Sequence, residues 1–136
     1  MSVPKSERKQ SNVEYITILQ QMEIYFLELN ISESGYVKGL TDELVNLSKI
    51  AYNNATMYFE MTNGIIQGTL AQKKKYCRLT FWTSRQLASQ INILVTFRMK
   101  QNKSVKNLIL KTNDLLKVCK MMQEQNYKLN HLKEDD

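Results

Sequence analysis

The stretch Gln72–Phe97, QKKKYCRLTFWTSRQLASQINILVTF, contains neither glycine nor proline. Helix interiors disfavour both, glycine through chain entropy and proline through its missing N–H and its ring. Leu70, Cys77, Phe81, Ala88, Ile91 and Val95 recur on one side of a wheel of about 100° per residue. The spacing predicts a long helix over 70–101, with Thr69 as its N-cap. A second set, Leu79, Trp82, Ile93 and Phe97, falls nearly opposite the first, with Gln86 and Gln90 in the gap. A lone helical bundle has water on that side, and exposed apolar stripes mark protein contacts. Trp82 and Phe97 are the kind of large aromatic residue that anchors such contacts. Self-association through this helix, as a closed ring or a dimer, is therefore expected, the alternatives being that the other stripe faces the core or that the helix is central and buried all round.

Outward from this segment the same pattern repeats. Ser11 and Glu14 have capping-box spacing, and Tyr15, Ile18, Leu19, Met22, Tyr25, Phe26 and Leu29 follow at helical spacing, which predicts a helix over 11–30. Asn30–Gly39 reads as a loop. Thr41 is the expected N-cap of a helix over 41–63, with the stripe Leu44, Leu47, Ala51, Ala55, Tyr58 and Thr62 and a stop at Asn63-Gly64. Ser104 is the expected cap of a helix over 105–128, with Val105, Leu108, Ile109, Thr112, Leu115, Leu116, Cys119 and Met122 facing inward. Four helices on short connectors give an all-α fold, an antiparallel up-down-up-down four-helix bundle over 11–128. Residues 1–10 read as a flexible basic arm and 129–136 as a frayed tail. Only 4 Gly and 1 Pro in 136 residues leave too few turn-formers for a β-rich alternative.

Charge is distributed unevenly. Residues 1–68 hold 5 Lys/Arg against 8 Asp/Glu, and residues 69–136 hold 14 against 5. A cationic second half points to an anionic partner, with nucleic acid the commonest. The candidate contacts are Lys73, Lys74, Lys75, Arg78 and Arg85 on the third helix and Lys106, Lys111, Lys117 and Lys120 on the fourth. Lysine and arginine on rigid helices track phosphates without reading bases. Nothing resembles a helix-turn-helix, zinc finger or RNA-stacking sheet, so RNA and DNA stay open as ligands.

Catalytic signatures are missing: there is no phosphate-binding glycine loop, G-x-S-x-G, H-E-x-x-H or C-x-x-C. The one histidine, His131, falls in the tail. Cys77 and Cys119 read as reduced, partly buried thiols. The chain is expected to be a non-catalytic, cytoplasmic protein with no cofactor, metal ion, small-molecule substrate or membrane span.

The opening MSVPKSERKQS, followed by KGLTDELVNLSKIAYNNATMYFEMTN, the third-helix segment quoted above and SVKNLILKTNDLLKVCKMMQEQNYK, resembles a family of small bacterial and phage four-helix-bundle proteins over nearly the full length. That family includes the rRNA-intervening-sequence proteins and Avd, the accessory variability determinant of diversity-generating retroelements. The resemblance implies a homopentameric ring with a positive surface. It implies binding to a reverse transcriptase and its template RNA in support of mutagenic cDNA synthesis, with no catalysis by the chain itself. The competing expectation is an adaptor bundle of a phage or mobile element that binds only protein.

Overall fold

The computed structural model describes residues 5–132, and side chains from residue 13 onward. It consists of four helices, α1 (Lys5–Ile31), α2 (Gly35–Thr62), α3 (Leu70–Lys100) and α4 (Lys106–Asn130). Their contacts fix the topology. Tyr15, early in α1, lies 6.2 Å (ring centroids) from Tyr58, late in α2. Tyr36, early in α2, meets Phe97, late in α3, at 5.3 Å. Cys77, early in α3, donates its thiol to the Met122 carbonyl late in α4 at 3.3 Å. Lys111, early in α4, sits 5.2 Å over the ring of Tyr25 in the second half of α1. Every neighbouring pair is antiparallel, and each helix packs on its two neighbours, with the α1–α4 seam the thinnest. This is an all-α four-helix bundle.

The core runs the length of the bundle, with Leu19, Met22, Phe26, Leu44, Leu87, Ile91, Leu94, Leu115 and Met122 fully buried. Tyr58 crosses the core at one end, donating its hydroxyl to Gln125 Oε1 at 2.9 Å. Cys77 and Cys119 are both buried and unpaired.

The helix termini show which local signals won. Thr69 caps α3 as expected, with a complete capping box: its hydroxyl accepts from the Gln72 amide at 3.1 Å, and Gln72 Oε1 accepts from the Thr69 amide at 2.9 Å. The stop at Asn63-Gly64 also holds, because Gly64 takes φ +73° and the Ile65 amide reaches back to the Glu60 carbonyl. Asn102, at φ +56°, closes α3 the same way, with the Lys103 amide on the Arg98 carbonyl.

Other expected boundaries shift. Ser11 does not start α1, which runs through it from Lys5, so the stretch 5–10 assigned to the arm is helical; residues 1–4 lie outside the described residues. Thr41 does not cap α2. It lies buried inside the helix, where its hydroxyl donates to the Val37 and Lys38 carbonyls and accepts from Asn30 Nδ2 at 2.8 Å. That amide also reaches Asp42 Oδ1 at 2.8 Å, and the Lys38 ammonium bonds Asn30 Oδ1 at 3.2 Å. This knot shortens the first connection to Ser32–Ser34, and α2 starts at Gly35, six residues before the expected 41. Ser104 does not cap α4 either; its carbonyl accepts from Arg98 Nε, and the helix starts after Val105. At the other end α4 continues to Asn130 and buries Leu129, so the tail described as frayed begins later; residues 133–136 lie outside the described residues.

The inward register of α3 differs most. The buried positions are Cys77, Thr80, Thr83, Ser84, Leu87, Ile91 and Leu94, whereas Leu70, Phe81, Ala88 and Val95 are half-buried on one flank. Hydroxyl residues can face the core here because Thr80 and Thr83 donate to the Tyr76 and Leu79 carbonyls one turn back, at 2.8 and 2.7 Å. On α4, Ile109 and Leu116, expected inward, are exposed, and Val118 takes the buried place.

Candidate nucleic-acid interface

The third helix carries no Asp or Glu between Leu70 and Lys100. Among the described residues the one ion pair is Arg98 Nη1 with Glu33 Oε1 at 3.3 Å, so Lys73, Lys74, Lys75, Arg78 and Arg85 have no carboxylate within 4 Å. Unneutralised cations on a rigid helix keep their field for an incoming anion.

The nine expected contacts divide among several places. Arg78 and Arg85 flank the Phe81–Trp82 pair from either side along α3. Arg85 holds its guanidinium carbon 5.5 Å from the Trp82 ring and 5.8 Å from the Phe81 ring. Arg78 lines a recess of about 330 Å³ with Phe81, Trp82, Met122, Gln123 and Asn126. Lys74 is half-buried one turn before Arg78, and Lys75 lies 5.4 Å over the Tyr76 ring. Lys120 is exposed and follows Cys119, whose thiol faces the Phe81 carbonyl at 4.0 Å. Lys73 instead lines a shallow recess at the α2–α3 connection with Met61, Gly68 and Thr69. Lys111 is turned to α1, over Tyr25. Lys106 and Lys117 are exposed farther round α4, Lys106 lying about 20 Å along the axis from Lys120 at about 1.5 Å per residue.

The four expected interface residues also separate. Leu79, Trp82 and Ile93 are exposed, and Phe97 is half-buried against Tyr36. Ile93 and Phe97 line a recess with Tyr36, Thr96 and Lys100, toward α2. Trp82 belongs to the recess toward α4, about 16 Å from Ile93 along the helix axis.

Burial raises the thiols and phenols of this end of the bundle. The Cys77 thiol is pushed up to about 11, against the lowering pull of a hydrogen bond to Tyr58. The Cys119 thiol is also raised by burial, with Arg85 opposing. Burial lifts Tyr15 and Tyr58 above the usual phenol range. These groups stay protonated near neutral pH, so neither thiol is poised as a nucleophile.

Three features escaped the sequence pattern. The Phe81–Trp82 pair, edge to face at 5.2 Å, is bracketed by arginine and faces Gln123 and Asn126 across a groove; only packing brings these together. Tyr36 extends the Phe97 end of the α3 surface. On α1, Ile24, Leu27 and Ile31 are all exposed, and their spacing off the core stripe was a visible signal. No known protein family, curated protein or solved structure matches the chain. No helix among the described residues is long and apolar enough to cross a membrane.

Proposed function

We propose that this protein is a non-catalytic, nucleic-acid-binding accessory protein that self-associates and supports a reverse transcriptase, as an Avd-like component of a diversity-generating retroelement. The observation carrying the nucleic-acid part is α3 itself: a helix without a carboxylate whose lysines and arginines, Arg98 apart, have no ion-pair partner among the described residues. Phosphates are the anions best matched to such a surface, and their counterion release supplies the binding energy. Self-association uses the Ile93–Phe97 end of the outer face of α3, where Tyr36 extends the recess, and not Trp82, which lines the separate recess toward α4. The polymerase partner and a ring of five subunits rest on the family resemblance.

The test is charge reversal. Lys73→Glu, Lys74→Glu, Lys75→Glu and Arg78→Glu together should abolish binding to RNA and DNA in a mobility-shift assay at low salt while the helical circular dichroism persists. Unchanged binding would remove the α3 cations from the proposal. A second reading, a protein-only adaptor, is favoured by the exposed Ile24–Leu27–Ile31 stripe on α1. It predicts a complex or oligomer with no affinity for nucleic acid at any salt concentration.

A further inference from the structure

The α3–α4 groove has a composition that phosphate tracking alone does not call for. Trp82 is the only tryptophan in the chain, and 55 % of it is exposed. Arg85 lies over it and over Phe81, and Arg78, one turn before Trp82, lines the recess. Arginine held against an aromatic face keeps its N–H edge free to meet a phosphate. The opposite wall supplies Gln123 and Asn126, whose amides can both donate and accept. The walls are tied to each other by the Cys77–Met122 and Cys119–Phe81 contacts, so the recess is a fixed feature of the packing. At about 330 Å³ it lies at the small end of ligand sites, which start near 300 Å³.

We infer that this recess is a stacking site for one unpaired nucleobase, so that the ligand is single-stranded nucleic acid. Trp82 offers its exposed ring to the base, Arg78 and Arg85 meet the flanking phosphates, and Gln123 and Asn126 hydrogen-bond the base edge. Every base has a π-face, and both amides can switch between donor and acceptor, so the site tolerates any sequence. A base inside a duplex is covered on both faces and cannot reach Trp82, so duplexes bind only through phosphates. The occupant is chosen by charge: among the described residues no carboxylate pairs with either arginine, and no Asp or Glu lines the recess. The outer side of α3 is thereby divided, with its Trp82 end for nucleic acid and its Ile93–Phe97 end for self-association. The inference rests on the nucleic-acid reading above and specifies its ligand.

A single tryptophan makes the test direct. The full chain is titrated with oligo(U), oligo(dT), a duplex of equal length and inorganic polyphosphate. Tryptophan fluorescence reports stacking, and the anisotropy of a labelled oligonucleotide reports binding. Single strands should quench Trp82 saturably, whereas polyphosphate and duplex should not. Trp82→Ala should weaken single-strand binding by about 5- to 150-fold, the range for losing one stacked base, and leave polyphosphate binding unchanged. Trp82→Phe should retain most of the affinity, and light scattering should show the same assembly state for both variants. Single strands that bind without quenching, with Trp82→Ala as tight as wild type, overturn the stacking site but leave phosphate binding standing. No binding of any polyanion overturns both.

Discussion

Replacing Leu87 by alanine tests the packing that positions every side chain on α3. Leu87 is fully buried, one turn from Ser84 and from Ile91 on the inward register. It does not belong to the stripe Leu70–Cys77–Phe81–Ala88–Ile91–Val95 that apolar character alone selects. Truncating a fully buried leucine removes its transfer free energy and leaves a void, at a cost of about 2–5 kcal/mol. No neighbouring helix can collapse far into the gap, since Leu87 faces the centre of a four-sided core, so we expect about 3 kcal/mol, within that range. With a urea slope of about 2 kcal/mol/M the midpoint should fall by about 1.5 M. Leu79→Ala is the control: Leu79 is 36 % exposed on the outer side, and its loss should be under about 1 kcal/mol. Urea denaturation followed by far-ultraviolet circular dichroism measures both. A larger loss for Leu79→Ala than for Leu87→Ala would mean that α3 is rotated, and the α3–α4 groove would lose its lining.

Three further outcomes are expected. Ser84 Oγ is buried without a hydrogen-bond partner, so Ser84→Ala should raise stability by about 1 kcal/mol, read as a higher urea midpoint; a loss would mean the hydroxyl is satisfied. Thr69→Ala breaks the capping box and should cost about 1 kcal/mol, with Thr69→Ser restoring most of it in the same denaturation assay. Cys77 binds its proton more tightly folded, near 11, than at the ordinary 9.0, and Tyr15 and Tyr58 shift the same way. The unfolded chain therefore loses protons first, so stability should be level below pH 9 and fall as pH rises toward 11. A melting temperature that stays flat across that window would contradict the buried thiol.

Helix number and order were legible because glycine and proline are scarce and the apolar spacing is long. Thr69 and Gly64 were legible because capping is a local interaction. Thr41 was not, since its environment is set by Asn30 across the first turn, a tertiary contact that no propensity carries. The register of α3 was blurred by Thr80, Thr83 and Ser84, polar residues that enter the core, two of them by bonding their own helix. The cationic character of the candidate surface is plain in composition, and the exposure of Trp82 follows from its place off the inward stripe. The division of the basic residues was hidden: Lys73 and Lys111 leave the groove because of what α2 and α1 place beside them. The pairing of Arg85 with two rings, opposite two amides on α4, was equally beyond a one-dimensional pattern.

Under the proposed function, the cations on α3 and α4 that have no ion-pair partner among the described residues bind nucleic-acid phosphates. The most direct measurement of that binding is the affinity for single-stranded RNA as a function of salt concentration. With Lys74, Arg78, Arg85 and Lys120 engaged, the slope of log K against log salt should be about −3, at about −0.7 per phosphate contact. A slope near zero, or no binding at the lowest salt, would contradict the account.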